Sequence, residues 1–213
     1  MTDVKSRIAQ RVAKEVRPRT LVNLGIGLPS LVANFISPEA GVFFQAENGV
    51  IGMGARPPEG MEEPDLTDAG GGFITAVPGA ASMDSAFSFG LIRGGHVDLT
   101  VLGGLQVDQA GHLANWKVPG ALVPGMGGAM DLVTGAKRVI VAMQHQSRGT
   151  AKLVDRCSLP LTSNRTVDLI VTELAVLRPL GDAFHVVELM EGVTAEEVQD
   201  KTDAVLSFHS IVY

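Results

Sequence analysis

Cysteine is nearly absent from this sequence of 213 residues, which contains Cys157 and no other. One cysteine cannot form an internal disulfide, and no CxxC pair or cysteine–histidine cluster has the spacing of a zinc site. We therefore expect a protein of the reducing cytoplasm without a bound metal. Since no histidine stands near Cys157 in the sequence, we also expect a buried, inert thiol rather than a nucleophile.

Long apolar runs and an excess of basic residues are also missing. The longest uncharged stretch, residues 20–38, contains Gly25, Gly27 and Pro29, and the interior of a bilayer would leave its polar groups unsatisfied. Residues 1–5 lack the apolar core of a signal peptide. With 17 lysines and arginines against 23 aspartates and glutamates, the net charge is -6, which repels polyanions. We expect neither a membrane nor a nucleic-acid partner, and small-molecule chemistry becomes the default.

Several common catalytic motifs do not occur. The sequence has no HExxH, GxxxxGK[ST], GxSxG or EF-hand pattern, which argues against zinc proteases, P-loop enzymes, serine hydrolases of that type and calcium-binding loops. His96, His112 and His145 are isolated from one another along the chain. We expect each of them to be structural.

The hydrophobic pattern predicts an α/β fold. Hydrophobic residues make up 46% of the chain, and strand-like runs alternate with helix-like segments, which is typical of an open, mostly parallel sheet with helices on both faces. Turns at residues 108–111 and 181–182 predict some antiparallel hairpins. No linker or repeat interrupts the pattern, so we predict one domain over residues 1–213. The predicted strands are residues 21–24, 42–46, 73–77, 97–102, 138–143 and 167–172, together with 175–177 and 184–189 on either side of the turn at 181–182. The predicted helices are residues 4–16, 29–35, 82–91, 128–135 and a short one opened by Thr194.

The first motif that could form a binding or catalytic site is Gly25-Ile26-Gly27, which follows the first predicted strand. Together with Glu47, about twenty residues further on, it is similar to a dinucleotide-binding fingerprint. That fingerprint requires a third glycine where Ser30 stands, and Pro29 interrupts the turn that would present amides to a pyrophosphate. A dinucleotide-binding oxidoreductase is therefore our second hypothesis.

The next motif is Glu47-Asn48-Gly49, where a predicted buried strand ends and a tight turn begins. Ligands of open α/β sheets bind at the carboxyl ends of the strands, so the Glu47 carboxylate would face a ligand there. From the local sequence alone, a solvated residue beside an ordinary turn explains the motif equally well. In that case the chain would be a scaffolding subunit without a catalytic residue.

Longer stretches of sequence separate these hypotheses. They are VNLGIG at residues 22–27, ENG at 47–49, IRGGHVD at 92–98, LANW at 113–116 and GMGGAMDL at 125–132. Through them the chain resembles, over nearly its whole length, the B (or beta) subunit of the class I 3-oxoacid CoA-transferases. That type includes the acetate/butyrate and the succinyl-CoA:acetoacetate enzymes.

The resemblance implies the CoA-transferase fold and a catalytic glutamate, Glu47. In that family the glutamate moves CoA between acetoacetyl-CoA, or a similar 3-oxoacyl-CoA, and a short carboxylic acid through a covalent glutamyl-CoA thioester. A carboxylate suits this ping-pong exchange because it is ionised at neutral pH and attacks without a general base. Coenzyme A is then a substrate, and we expect no tightly bound cofactor.

The same resemblance assigns Asn23 and the loop that contains Gly125, Gly127 and Gly128 to the CoA site. Glycines let backbone amides approach a ligand closely, which suits either an oxyanion or a CoA phosphate. The resemblance also implies an active site shared with a separate A (or alpha) subunit of the CoA-transferase. We therefore expect a cytoplasmic hetero-oligomer.

Three positions depart from the usual residues of the family. Ala46 replaces a serine before the catalytic glutamate, Gly71 replaces a lysine that many relatives carry, and Gln144 replaces a glutamate. Gly71 removes a positive partner for CoA or for a second carboxylate. We therefore expect short monocarboxylate acceptors rather than succinate.

Overall fold

The computed structural model describes residues 3–120 and 125–208 of the chain. Within these ranges the α-helices are α1 (Val4–Ala13), α2 (Ser85–Arg93), α3 (Ala129–Gly135) and α4 (Ala195–Asp200), and the 3₁₀ helices are Pro29–Phe35 and Pro38–Ala40. None of the helices in this described part of the chain has the length and apolar character that crossing a membrane requires.

In the part of the chain that the structure describes, the strands form one large sheet and two small ones. They are β1 (Leu21–Leu24), β2 (Phe43–Ala46), β3 (Val50–Met53), β4 (Ala76–Ser82), β5 (Leu99–Leu102), β6 (Gln106–Asp108), β7 (Leu113–Ala114), β8 (Arg138–Ala142), β9 (Gln146–Ser147), β10 (Thr150–Ala151), β11 (Leu153–Val154), β12 (Leu169–Val171), β13 (Ala175–Pro179), β14 (Phe184–Leu189) and β15 (Leu206–Ser207).

The large sheet has ten strands in the order β15-β14-β13-β12-β8-β5-β1-β2-β3-β4. Its centre, β12-β8-β5-β1-β2, is parallel throughout. Antiparallel pairs flank this centre, with β13 and β14 on one side and β3 and β4 on the other. The prediction of a mostly parallel sheet with antiparallel hairpins is confirmed. The parallel centre brings the carboxyl ends of five strands to one edge, where ligands of such sheets bind.

Two apolar cores lie on opposite faces of the sheet. Helix α1 buries Ile8 and Val12 against one face, as the four-residue spacing of its apolar stripe predicts. Helices α2 and α3 cover the other face with Ile92 and Leu132. Successive residues of β8 alternate between the two cores, as the period of two in a strand requires. The predicted helices on both faces are therefore confirmed.

Four predicted elements differ from the structure in type or by three or more residues at one end. The helix predicted over residues 4–16 ends at Ala13. Residues 29–35 form a 3₁₀ helix instead of an α-helix, and at seven residues it is longer than the three or four that this geometry usually spans. The strand predicted at 73–77 is β4, which begins only at residue 76, because Phe73 instead pairs with Thr67 in a separate bridge. The helix predicted from residue 82 begins at residue 85, since Asp84 Oδ1 accepts a hydrogen bond from the Phe87 amide at 2.8 Å and caps it.

Candidate active site

Glu47 lies at the carboxyl end of β2, the last strand of the parallel centre. Ala46 and Val50 pair across the antiparallel hairpin β2-β3, so Glu47 begins its turn. Gly49 in this turn has a φ of +126°, and a Cβ there would lie 2.1 Å from the carbonyl oxygen of Met83. Only glycine fits this position. The backbone therefore fixes the turn, which places Glu47 at the edge where the five parallel strands end.

A buried polar row crosses the three strands next to Glu47. Thr100 in β5, Asn23 in β1 and Gln45 in β2 are in register, and none is more than 1% exposed. Gln45 precedes Glu47 by two residues, so both side chains lie on the same face of the sheet. The Asn23 amide nitrogen donates to Gln45 Oε1 at 2.9 Å and to Glu47 Oε2 at 3.1 Å. The row therefore ends on the Glu47 carboxylate and holds one of its two oxygens.

The predicted glycine loop approaches Glu47 from the start of α3. A Cβ added to Gly128, the residue before α3, would lie 3.0 Å from Glu47 Cγ and 3.2 Å from Glu47 Oε1. Gly125 and Gly127 have φ angles of +109° and +55°, in the region that favours glycine. The Glu47 oxygen that Asn23 does not hold thus faces the loop.

Glu47 and the glycine loop line one open cleft of about 1410 Å³, which is larger than the roughly 1,000 Å³ of an ordinary small-molecule pocket. The cleft runs along β2 from the loop to the 3₁₀ helices and Arg56. Among the described residues that line it, Arg56 is the only lysine, arginine or histidine, and Glu47 and Asp68 are the only carboxylates. Asn23 does not line the cleft and lies beneath Glu47 instead. The predicted site residues are therefore together, with Asn23 in contact with the carboxylate rather than with the open space.

Sequence reasoning missed Gln45, Thr100 and Ser88. Ser88 in α2 is 1% exposed, and its hydroxyl accepts a hydrogen bond from Gln45 Nε2 at 3.0 Å. The signal for Gln45 was present, because a polar residue in a buried strand that shares the face of Glu47 requires a polar partner. Thr100 and Ser88 gave no such signal. Neighbouring residues in the sequence reveal neither the register of Thr100 across the parallel strands nor the packing of Ser88 in α2 against Gln45.

The three departures from the family pattern lie in different environments. Ala46 is buried in a small apolar cluster with Val50 and Ile74, so position 46 is a packing position here. Gly71 has a φ of +79° and open space around it. Gln144 is exposed, and nothing in the structure explains its substitution.

The groups expected to be structural do not line the cleft. His145 is buried between Thr172 and Thr202, 3.0 and 2.9 Å from their hydroxyl oxygens, and burial lowers its pKa to about 4. Burial, with the nearby charge of Asp108, raises the pKa of Cys157 to about 12, which leaves the thiol inert. In residues 3–120 and 125–208, no three histidine, cysteine, aspartate or glutamate side chains are grouped to hold a metal.

A carboxylate held at the strand ends of an open α/β sheet, beside a glycine loop and a long cleft, defines an enzyme site built for a large ligand. The chain belongs to the Coenzyme A transferase family, whose sequence profile matches residues 5–201. The prediction of a CoA-transferase is confirmed, and it replaces the hypothesis of a dinucleotide-binding oxidoreductase.

Two similar proteins and one solved structure agree with this assignment. The chain is 52% identical over 203 residues to the beta subunit of acetate CoA-transferase of Escherichia coli strain K12, covering 95% of this chain and 93% of that one. It is 50% identical over 207 residues to the B subunit of succinyl-CoA:3-ketoacid coenzyme A transferase of Helicobacter pylori strain J99, covering 97% and 100%. Its fold is similar to the acyl-CoA transferase YdiF of Escherichia coli O157:H7, with a TM-score of 0.75 at 22% identity; the match covers 96% of this chain and 42% of YdiF.

Proposed function

We propose that this chain is the beta subunit of a CoA-transferase that moves CoA between acetoacetyl-CoA, or a similar 3-oxoacyl-CoA, and a short carboxylic acid. One observation carries the proposal. Asn23 holds one oxygen of the Glu47 carboxylate, while the other faces the glycine loop in a cleft large enough for a CoA ester. The names of the two relatives, an acetate and a succinyl-CoA:3-ketoacid enzyme, support this class of acids.

Glu47 acts as the nucleophile in this proposal. Its free oxygen attacks the thioester carbonyl of the acyl-CoA, and the tetrahedral adduct collapses to an acyl-glutamyl anhydride as CoA leaves as the thiolate. The thiolate then attacks the glutamyl carbonyl, expels the free carboxylate of the donor and leaves a glutamyl-CoA thioester. The acceptor acid reverses both steps. Because each step exchanges one acyl bond for another, no proton source or metal is required.

Asn23 is suited to stabilise the oxyanion that forms on Glu47. When the free oxygen of Glu47 becomes acylated, Oε2 remains as the glutamyl carbonyl oxygen. Negative charge develops on Oε2 when the CoA thiolate attacks, and the Asn23 N–H already points at it from 3.1 Å. A preorganised donor of this kind lowers the barrier because it needs no reorientation during the reaction. Backbone amides of the glycine loop would serve the anhydride oxygens in the same way.

The proposal includes a partner, the alpha subunit of the CoA-transferase, in a cytoplasmic hetero-oligomer. Coenzyme A carries several phosphate charges, and the described lining of the cleft offers one basic side chain, Arg56. Further basic groups then have to come from another chain. The relatives carry the names of beta and B subunits, which supports the presence of a second, different chain. Coenzyme A enters as a substrate in this scheme, not as a resident cofactor.

The test is to trap Glu47 in the complex that it forms with the alpha subunit. In the absence of an acceptor, acyl-CoA should form the thioester, and borohydride should reduce it to an alcohol that peptide mass spectrometry locates at Glu47. Glu47→Gln should assemble but transfer CoA only at background, since an amide is not a nucleophile. Loss of one oxyanion donor would cost only roughly 10² to 10³ in kcat. Near-normal exchange by Glu47→Gln, without an adduct in the parent enzyme, would refute the proposal.

A further inference from the structure

A continuous line of hydrogen bonds, buried as far as Asn23, connects α2 to Glu47. Gln45 Nε2 donates to the Ser88 hydroxyl at 3.0 Å, and Gln45 Oε1 accepts from the Asn23 amide nitrogen at 2.9 Å. The same nitrogen is 3.1 Å from the Gln45 backbone oxygen and 3.1 Å from Glu47 Oε2. Gln45 therefore supplies two of the three acceptors around this nitrogen.

The orientation of the Asn23 carboxamide decides what Glu47 meets. With its nitrogen toward Glu47, Asn23 offers a donor to Oε2; rotated by half a turn, it would offer an oxygen, which repels the carboxylate and both oxygens of Gln45. While Glu47 is charged, the carboxylate itself favours the observed orientation. In the anhydride and in the thioester Glu47 carries no charge, so this preference weakens when the oxyanion is about to form.

The oxygens of Gln45 do not change during the reaction. They continue to accept from Asn23 when Glu47 is acylated, and the bond to Ser88 holds the Gln45 side chain in place. Because Asn23, Gln45 and Ser88 are buried, a rotated amide would leave its oxygen facing the oxygens of Gln45 without water to separate them. Gln45 thus maintains an orientation that Glu47 alone maintains only in its charged state.

We propose that Gln45, anchored by Ser88, is a positioning residue for CoA transfer: it keeps the Asn23 N–H directed at Glu47 Oε2 while Glu47 is an anhydride or a thioester. This inference rests on the proposed function. It predicts an effect on the reaction of the acylated enzyme that a purely structural role of the same hydrogen bonds does not produce.

The experiment uses the complex of both chains and follows the decay of preformed glutamyl-CoA thioester after addition of the acceptor acid. Gln45→Met keeps the length of the side chain but removes its side-chain donor and acceptor. We expect the decay and kcat to slow by roughly 10- to 100-fold, the range that small misplacements of catalytic groups produce, with KM within about twofold of the parent. Ser88→Ala should also slow the thioester decay and lower kcat, by about 3- to 10-fold.

Thr172→Val is the matched control. Thr172 is also fully buried, but it does not line the cleft. The substitution removes its hydrogen bonds to His145 and to the Ala175 carbonyl. This variant should lower Tm and leave the thioester decay unchanged.

Parent-like decay in Gln45→Met, or in Ser88→Ala if Gln45→Met does not assemble, would overturn the positioning role. A parent enzyme that forms no thioester would instead refute the proposed function. The two failures are therefore distinguishable.

Discussion

Gly128 lies so close to Glu47 that a side chain at this position should disturb the proposed reaction. Its φ of -81° is accessible to alanine, so Gly128→Ala should fold, but Glu47 would have to move by a few tenths of an ångström away from the added methyl group. We expect kcat to fall by about 10-fold or more, with Tm close to that of the parent. Gly90→Ala is the control, because a Cβ at Gly90 in α2 meets nothing within 4 Å. Equal kcat values for Gly128→Ala and the parent would contradict this role.

Gly71 gives a second prediction at the scale of single residues, on the choice of acceptor acid. The parent enzyme should have a higher kcat/KM for acetate and butyrate than for succinate, with acetoacetyl-CoA as the donor. Gly71→Lys should shift the ratio toward succinate by adding a positive charge beside the cleft. Any side chain is strained at a φ of +79°, so Gly71→Ala carries the same strain without the charge and should keep the parent ratio. A parent preference for succinate would show that the charge at this position does not set the choice.

At the scale of elements, the strands of the parallel centre could be predicted from the sequence, whereas the antiparallel edge formed by β3 and β4 could not be predicted with its correct bounds. Runs of buried β-branched residues mark β5, β8 and β12 in the sequence. Strand β3 contains Gly52, whose φ is +86°, and the pairing of β3 with β4 shifts register between Ile51 and Met53. Glycine at such a bulge breaks the alternating pattern on which strand prediction depends. The partner strand β4 is rich in small residues and mostly exposed, so hydrophobic periodicity predicted it over residues 73–77 and missed most of its length.

His145 links two elements and makes their contact sensitive to pH. It joins the turn after β12, through Thr172, to the end of α4, through Thr202. The folded pKa of about 4 lies below the ordinary value of 6.5, so between these values the unfolded chain binds more protons than the folded one. The contribution of His145 to the free energy of unfolding is therefore fully present above pH 6.5 and is lost as the pH falls toward 4.

Urea unfolding of the isolated chain at several pH values checks this expectation. The unfolding free energy of the parent should fall more steeply between pH 6.5 and 4 than that of His145→Gln, by up to about 1.4 kcal/mol per pH unit. Carboxylates that titrate in the same range contribute to both proteins, so the difference isolates His145. Parallel curves would contradict the contribution of a buried, neutral His145.

At the scale of the whole molecule, the site could be predicted only as far as single motifs and the family resemblance reach. Glu47, Asn23 and the glycine loop were found because they stand in such motifs. The polar row was not, because Thr100 and Asn23 are 77 residues apart in sequence and meet only when β5 and β1 pair. The cleft likewise is lined by segments that are far apart in sequence, from Leu24 to Leu132, and that meet only in the folded chain.

The exposed edge strand β4 is where we expect the proposed partner chain to bind. Strand β4 contains no charged residue, and six of its seven residues are exposed. Pro78 and the irregular register with β3 limit regular strand pairing at this edge, so a partner would contact it mainly through side chains. Val77 and Pro78 of this strand also line the cleft. A partner chain that covered β4 would therefore narrow the cleft as well, which would join assembly to the formation of the complete site.

The last prediction follows from that arrangement: the purified chain should fold but should not transfer CoA by itself. Addition of the cognate alpha subunit should restore transfer, together with a shift in size exclusion to an α2β2 or larger assembly. Glu47→Gln provides the control, since it should undergo the same shift in size without regaining transfer. Full turnover by the isolated chain would show that its own cleft is complete, and Arg56, the single basic residue in the described lining of the cleft, would then have to suffice for binding CoA.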